Sequence, residues 1–346
     1  MIFARGCRAG GGQAGLTTQL CNDRSMTNVS TRPLGHSGIH VSVVGLGCNQ
    51  FGARLDKAQT KAVLDAAIDA GVTFLDTADR YGTTHSEEFM GEALKGRRDQ
   101  VVLATKFGLD LGDGWPGPRG TGDYVRHAVD GSLRRLQTDR IDLYWYHRPD
   151  GVTPIGETLE ALDALVTAGT VGAIGASNFS AEQIEQADTI ARDRGLTPFT
   201  AIQNEYSLLS REAEVDVLPL CQRLDIAFIP YYPLASGLLT GKYKRGVAAP
   251  QGARLSERTE IATPEQWETI AALSSYADVR GVALSQVAIG ALLAHPAVAS
   301  VIAGATKPEQ IAANARAAAW APTAADLAAL SLLLSAPEPH PGDRRG

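Results

Sequence analysis

The sequence predicts an α/β protein, a (β/α)8 TIM barrel with an N-terminal β-hairpin and two extra C-terminal helices, and three observations carry that expectation. Short apolar runs recur at 43–47, 72–76, 101–106, 141–146, 171–176, 200–204, 226–231 and 299–303, most of them separated by segments of helical period. Three successive runs stop abruptly at ionisable residues, Asp76, Lys106 and His147. Side-chain parity puts Val72, Phe74 and Asp76 on one strand face, and Val102, Ala104 and Lys106 on another, so the polar ends meet at a barrel mouth if those faces point inward.

Length and composition narrow the function classes. With 346 residues, 44% apolar content and a net charge of −6, the chain reads as a soluble globular protein. It lacks a Lys/Arg run that would favour nucleic acid or an anionic membrane, and lacks any apolar run near the ~18 residues of a membrane span. Cys7, Cys21, Cys48 and Cys221 have neither metal-ligand nor disulfide-framework spacing, so no metal is expected and a cytoplasmic location is the default.

In chain order, residues 1–30 are rich in Gly, Ser, Thr, Asn and Gln and have no sustained period. Arg5 and Arg8 are not followed by an apolar core, which argues against a secretory signal. The expectation is a disordered leader from a start assigned too early, with Met26 as the working initiator. The barrel then occupies 31–336, followed by a flexible tail, 337–346. Residues 32–43 (RPLGHSGIHVSV) read as a tight hairpin. Helical patterns fall at 57–70, 86–94, 121–136, 155–167, 181–193, 211–224, 264–279 and 285–294, with two further helices at 308–317 and 323–335. Thr121 and Ser180 are candidate caps, and Pro264 follows Thr263 at a first helical position. Two long connections, 107–120 and 236–262, belong on the strands' C-terminal side and are expected to serve substrate and cofactor. Trp115 and Arg119 in the first loop, with Asn49 after the first strand, are candidate pocket-lining residues.

A lone strand-end Asp is usually a turn residue, and a buried structural His is commoner than a catalytic one. The joint occurrence of Asp76, Tyr81, Lys106 and His147 is what points to proton handling. A Rossmann start, Gly45-Leu46-Gly47-Cys48-Asn49-Gln50, is weak because Gln50 stands at the third glycine position and no helix opens on the loop. Later strand ends suit a dinucleotide better. Ser177-Asn178 and Gln203-Asn204 offer groups for a carboxamide, and Tyr231 offers a stacking ring. The loop 233–238 offers backbone N–H groups for a pyrophosphate, and the helix opened by Thr306-Lys307-Pro308 has an anion-favouring start.

In order and spacing, the motifs LGxSGxxVSxxGLG, FLDTADRYG, VVLATKFG, IDLYWYHRPD, GASNFS, IQNEYSLL, YYPLASGLLTGKY and IAGATKPEQIAAN resemble those of the aldo-keto reductases over roughly Pro33 to Ala319. The resemblance is to the bacterial branch, near channel-beta-subunit-like and aldose-dehydrogenase-like members. It implies a barrel that binds NADP(H) without a Rossmann fold, with Asp76, Tyr81, Lys106 and His147 as catalytic tetrad. It implies Ser177, Asn178 and Gln203 at the nicotinamide amide, Tyr231 stacked on its ring, and Leu234, Ser236 and Gly237 at the pyrophosphate. Thr306, Gln310 and Asn314 fall at the adenosine end, and Gly47, Cys48, Asn49 and Asp76 also border the cofactor. The steroid-reducing branch usually has an arginine where Gln310 stands and an acid where Ala313 stands.

In this reading Tyr81 gives a proton to the carbonyl oxygen, and Lys106 lowers its pKa so that the reverse step is also accessible. Asp76 fixes Lys106, and His147 orients the carbonyl. The expected function is reversible reduction of a small aldehyde or ketone. The alternatives are an NAD(H)-dependent sugar or alcohol dehydrogenase and an NADPH-binding, redox-sensing regulatory subunit.

Overall fold

The computed structural model describes residues 29–334. The leader up to residue 28 and the tail from 337 to 346, including Met26, lie outside the described residues. The hairpin pairs β1 (Thr31–Pro33) with β2 (His40–Ser42), Arg32 facing Val41. The Arg32 guanidinium donates to the carbonyls of Leu293 and Val298, both at 2.7 Å, which ties the hairpin to the end of the barrel.

Eight parallel strands follow: β3 (Val44–Gly47), β4 (Phe74–Asp76), β5 (Val102–Phe107), β6 (Ile141–Tyr146), β7 (Val171–Ser177), β8 (Ala201–Gln203), β9 (Ala227–Phe228) and β10 (Val301–Gly304). They lie in the order β10-β3-β4-β5-β6-β7-β8-β9. Closure comes where Phe228 N–H donates to Ala297 O at 2.7 Å and Ile302 N–H to Pro230 O at 3.2 Å. β9 is shorter than the apolar run 226–231 suggests, because Pro230 has no N–H for the ladder.

The barrel interior is narrow. Leu34 and Val41 of the hairpin region pack beneath Phe74, Ala104, Leu143, Trp145, Ala173, Ala201 and Ile302 in one buried cluster. A Cβ at Gly175 would stand 2.5 Å from the Trp145 ring, so glycine there makes room for the indole. Phe74 and Ala104 share this interior, and the two-residue period carries Asp76 and Lys106 inward at the strands' C-terminal ends.

The helices are α1 (Lys57–Asp69), α2 (His85–Ala93), α3 (Gly122–Leu136), α4 (Ile155–Thr167), α5 (Ala181–Arg194), α6 (Val217–Leu224), α7 (Pro264–Arg280), α8 (Leu284–Leu293), α9 (Pro308–Ala317) and α10 (Ala324–Leu333). Thr121, Ser180 and Thr263 cap their helices through side-chain oxygens, as the sequence predicts. The pattern at 211–224 is broken into a 3₁₀ turn (Glu212–Glu214) and α6, because Pro219 is compatible only with a helix's first turn. Of the two helices after the last strand, α9 packs on α1 and closes the helical ring. α10 lies on α7 outside the ring, joined by Tyr276 O–H donating to Asp326 at 2.6 Å and by the Arg280–Asp326 ion pair at 2.9 Å. No helix of the described residues is long and apolar enough to cross a membrane.

Candidate active site

The ends of β4 and β5 place Asp76 beside Lys106. Lys106 Nζ donates to Asp76 Oδ2 at 2.5 Å and to Thr77 O at 2.8 Å. Gln203 Nε2, from β8 across the barrel, donates to the other Asp76 oxygen at 3.0 Å. Both carboxylate oxygens are therefore occupied, as a buried charge requires. Lys106 Nζ lies 5.1 Å from the centre of the Tyr81 ring.

Tyr81 stands on the turn between β4 and α2. The next residue, Gly82, has φ 58°, and a Cβ there would meet Phe51 O at 2.4 Å, so a glycine lets this turn press against the loop after β3. The Tyr81 and His147 rings meet edge to face at 5.9 Å. His147 Nδ1 is buried without a hydrogen-bond partner among the described residues.

The electrostatics decide the protonation states. Burial raises the Tyr81 pKa and outweighs the lowering by the Lys106 cation. Lys106 does lower it, as expected, but the net shift is upward and the phenol is held protonated. Burial, then Lys106, Arg148 and Arg80, push His147 well below its usual range, so its imidazole is neutral. Burial acts to lower Lys106, but the charge of Asp76 and the nearby Tyr81 raise it overall. Burial lifts the Cys48 thiol well above its ordinary value, and its Sγ–H donates to Leu46 O at 3.4 Å.

A cavity of about 660 Å³ opens over this pole, a size typical of small-molecule sites. Gly47, Cys48, Asn49, Asp76, Tyr81, His147, Ser177, Asn178, Gln203, Tyr231, Leu234, Ser236, Gly237, Thr306, Gln310 and Asn314 all border it. Lys106 sits behind them with no exposure. Trp115 and Arg119 do not border it. Trp115 packs on Tyr124 and His127, and Arg119 donates to the Tyr124 hydroxyl at 2.6 Å and to Asp113 at 2.8 Å. The first long loop folds on its own charges and sends Leu109 to the cavity instead.

The strand-end amides are cross-linked. Asn178, in the left-handed region at φ 61°, donates from Nδ2 to His147 O at 3.0 Å and accepts from the Tyr231 hydroxyl at 2.8 Å. Ser177 Oγ–H donates to Gln203 O at 2.8 Å. At the start of α9, Gln310 Oε1 accepts from Thr306 N–H at 2.6 Å and Lys307 N–H at 3.2 Å, so this side chain occupies the two N–H groups just ahead of the helix.

Cations are what the sequence reading missed. Arg54, Arg80, Arg148, Lys242 and Arg254 also border the cavity. Arg80 precedes Tyr81 and Arg148 follows His147, so adjacency within the strand-end motifs was the available signal. Ala235, Ser236 and Gly237 have successive positive φ values, and a Cβ at Gly237 would come within 2.7 Å of Lys242 Nζ. Burial, then Arg254 and Arg54, depress the Lys242 pKa. A turn of this form flanked by crowded cations fits a polyanion such as a dinucleotide's phosphates.

A (β/α)8 barrel that gathers an acid, a lysine, a tyrosine and a histidine at the strands' C-terminal mouth has its ionisable groups where barrels of this class present their ligand sites. The chain belongs to the aldo/keto reductase family, an oxidoreductase family whose sequence model matches residues 43–333. It is 38% identical over 297 residues to a probable voltage-gated potassium channel subunit beta of Oryza sativa subsp. japonica, covering 82% of this chain and 89% of that protein. It is 36% identical over 300 residues to a probable voltage-gated potassium channel subunit beta of Arabidopsis thaliana, again covering 82% and 89%.

Proposed function

We propose that the protein is an NADP(H)-dependent carbonyl reductase in which Tyr81 protonates the oxygen of a small aldehyde or ketone. The observation that carries it is the Tyr81 phenol set between the Lys106–Asp76 pair and the neutral His147 on the cavity wall. A bound reduced nicotinamide supplies the hydride to the carbonyl carbon. Tyr81 gives its proton to the carbonyl oxygen, leaving a phenolate that Lys106 stabilises. Asp76, steadied by Gln203, holds Lys106 in place. His147, neutral, donates a hydrogen bond that orients the carbonyl and stabilises charge developing on its oxygen.

Ser177, Asn178 and Gln203 would hold the carboxamide, and Tyr231 would stack on the ring. Leu234, Ser236 and Gly237, with Lys242 and Arg254, suit the pyrophosphate. Thr306, Gln310 and Asn314 suit the adenosine end. The excess of cations favours NADP(H) over NAD(H), and a phenol held protonated is ready to act as the acid in reduction.

The test is single-turnover reduction of the best substrate from an aldehyde, ketone and sugar screen, by the wild type and Tyr81→Phe. Loss of the acid should slow turnover by ~10²–10⁴-fold. NADPH affinity should be nearly unchanged, and a variant within a few-fold of wild type would overturn the assignment. The names of the channel-subunit relatives motivate a second reading, a nucleotide-binding regulatory subunit. Negligible turnover across the screen, together with co-purification with a membrane partner, would favour it.

A further inference from the structure

We propose that Arg80 and Arg148 form an anion-binding subsite that selects carbonyl substrates carrying their own carboxylate or phosphate group. This deepens the reductase reading and rests on it for the word substrate. Many arginines elsewhere in the described residues pair with carboxylates, as Arg97, Arg98, Arg135 and Arg194 do. Arg54, Arg80, Arg148 and Arg254 line the cavity, and none of them has an ion pair among the described residues. Among the described residues the only carboxylate on the cavity wall is Asp76, which Lys106 and Gln203 already occupy. In a chain of net charge −6, unneutralised positive charge gathered at one mouth calls for an anionic ligand.

The cations fall into two groups. Arg54 and Arg254 act on Lys242, whose ammonium lies against Gly237, the turn that suits the cofactor's phosphates. Arg80 and Arg148 are the chain neighbours of Tyr81 and His147, and both act on the His147 ring. They stand at the pole where a carbonyl would react. Arg80 also forms a wall of an adjoining cavity of about 260 Å³, bordered by Thr83, Thr84, Asp110, Leu111 and Gly112. Asp110 is held there by Arg119 at 2.6 Å, which blunts its repulsion of an incoming anion. A substrate with its carbonyl at Tyr81 and His147 would thus present the rest of its length to two guanidinium groups. Guanidinium suits planar, bidentate recognition of carboxylate or phosphate.

The experiment measures kcat/KM with the full chain and NADPH for two pairs matched at the reacting carbonyl: 4-formylbenzoate against its methyl ester, and glyceraldehyde 3-phosphate against glyceraldehyde. The charged member should be favoured by about 10-fold or more, the effect expected of one charge-assisted hydrogen bond. That advantage should shrink as salt is raised. It should fall in Arg80→Gln and Arg148→Gln and be partly kept in Arg80→Lys; the pair with the larger ratio identifies the preferred anion. Calorimetric titration of the NADPH-loaded protein with 4-(hydroxymethyl)benzoate, a pair that cannot react with each other, gives a readout that needs no turnover. Arg80-dependent binding of that acid without reduction of any aldehyde would sink the reductase reading and leave the anion subsite standing. Equal use of both members of each pair, or a charge advantage intact in both glutamine variants, would overturn the subsite.

Discussion

Lys106 and Asp76 form an ion pair at 2.5 Å whose side chains are 0% and 5% exposed. Their strands are neighbours in the barrel, so two residues 30 positions apart are locked together by the fold, with Gln203 on the remaining oxygen.

The pair sets a stability test. Lys106→Met leaves the Asp76 carboxylate without its cation inside the barrel mouth, which should cost ~3–5 kcal/mol. Denaturant unfolding should show that loss, and the double variant Lys106→Met/Asp76→Leu should recover much of it. A loss below about 1 kcal/mol in the single variant would mean that solvent reaches the carboxylate, against the burial described here.

The pH profile of reduction follows from two shifts of opposite sign. His147 is lowered from 6.5, so it is neutral above that value. Tyr81 is raised from 10.0, so it still carries its proton at that pH. Turnover should be flat between those values and fall only as pH climbs through the raised tyrosine pKa. A decline centred near neutral pH in a single-turnover profile would contradict this.

Cofactor choice is expected to be modest in the wild type. Gln310 Oε1 accepts from the Thr306 and Lys307 N–H groups, capping α9 with a neutral amide. Gln310→Arg frees those donors and adds a cation, and should widen the preference for NADPH over NADH by about 10-fold. Fluorescence titration with both dinucleotides checks it, and an unchanged ratio of affinities would place the 2′-phosphate elsewhere.

Asp79 provides a separate test of the ground beneath the site. It is fully buried, neither oxygen has a well-formed hydrogen bond among the described residues, and burial followed by the charge of Glu87 raises its pKa well above 3.8, against a weaker lowering by Arg135 and the Arg80 N–H. The folded protein keeps a proton there that the unfolded chain releases above that value, so this group removes stability as pH rises. Asp79→Asn should therefore raise Tm, with a gain larger at pH ~8 than at pH ~4. A gain that shrinks as pH rises would show that Asp79 is ionised in the fold.

Much of the architecture was legible in local pattern. Alternation along Phe74–Asp76 and Val102–Ala104–Lys106 correctly put two charges on inward faces, because a strand's period of two is a property of the chain itself; Val72, which precedes the strand, packs in the outer cluster instead. Helix starts at Thr121, Ser180 and Thr263 were equally readable, because a cap needs only its own first turn. Cavity-lining polar groups such as Ser177, Asn178 and Gln203 were found through the strand ends that carry them.

Relations across the barrel were decided by the tertiary structure. Gln203 reaches Asp76 over 127 residues of sequence, and no local signal encodes a distance that exists only once β8 and β4 share a closed sheet. Trp115 and Arg119 turned away from the cavity because Asp110, Asp113 and Tyr124 offered closer partners. The net shift on Tyr81 is likewise a contest between burial and a cation 5.1 Å from its ring. Composition supplied both contestants, but desolvation and Coulomb attraction depend on depth and distance, which only the packed fold sets.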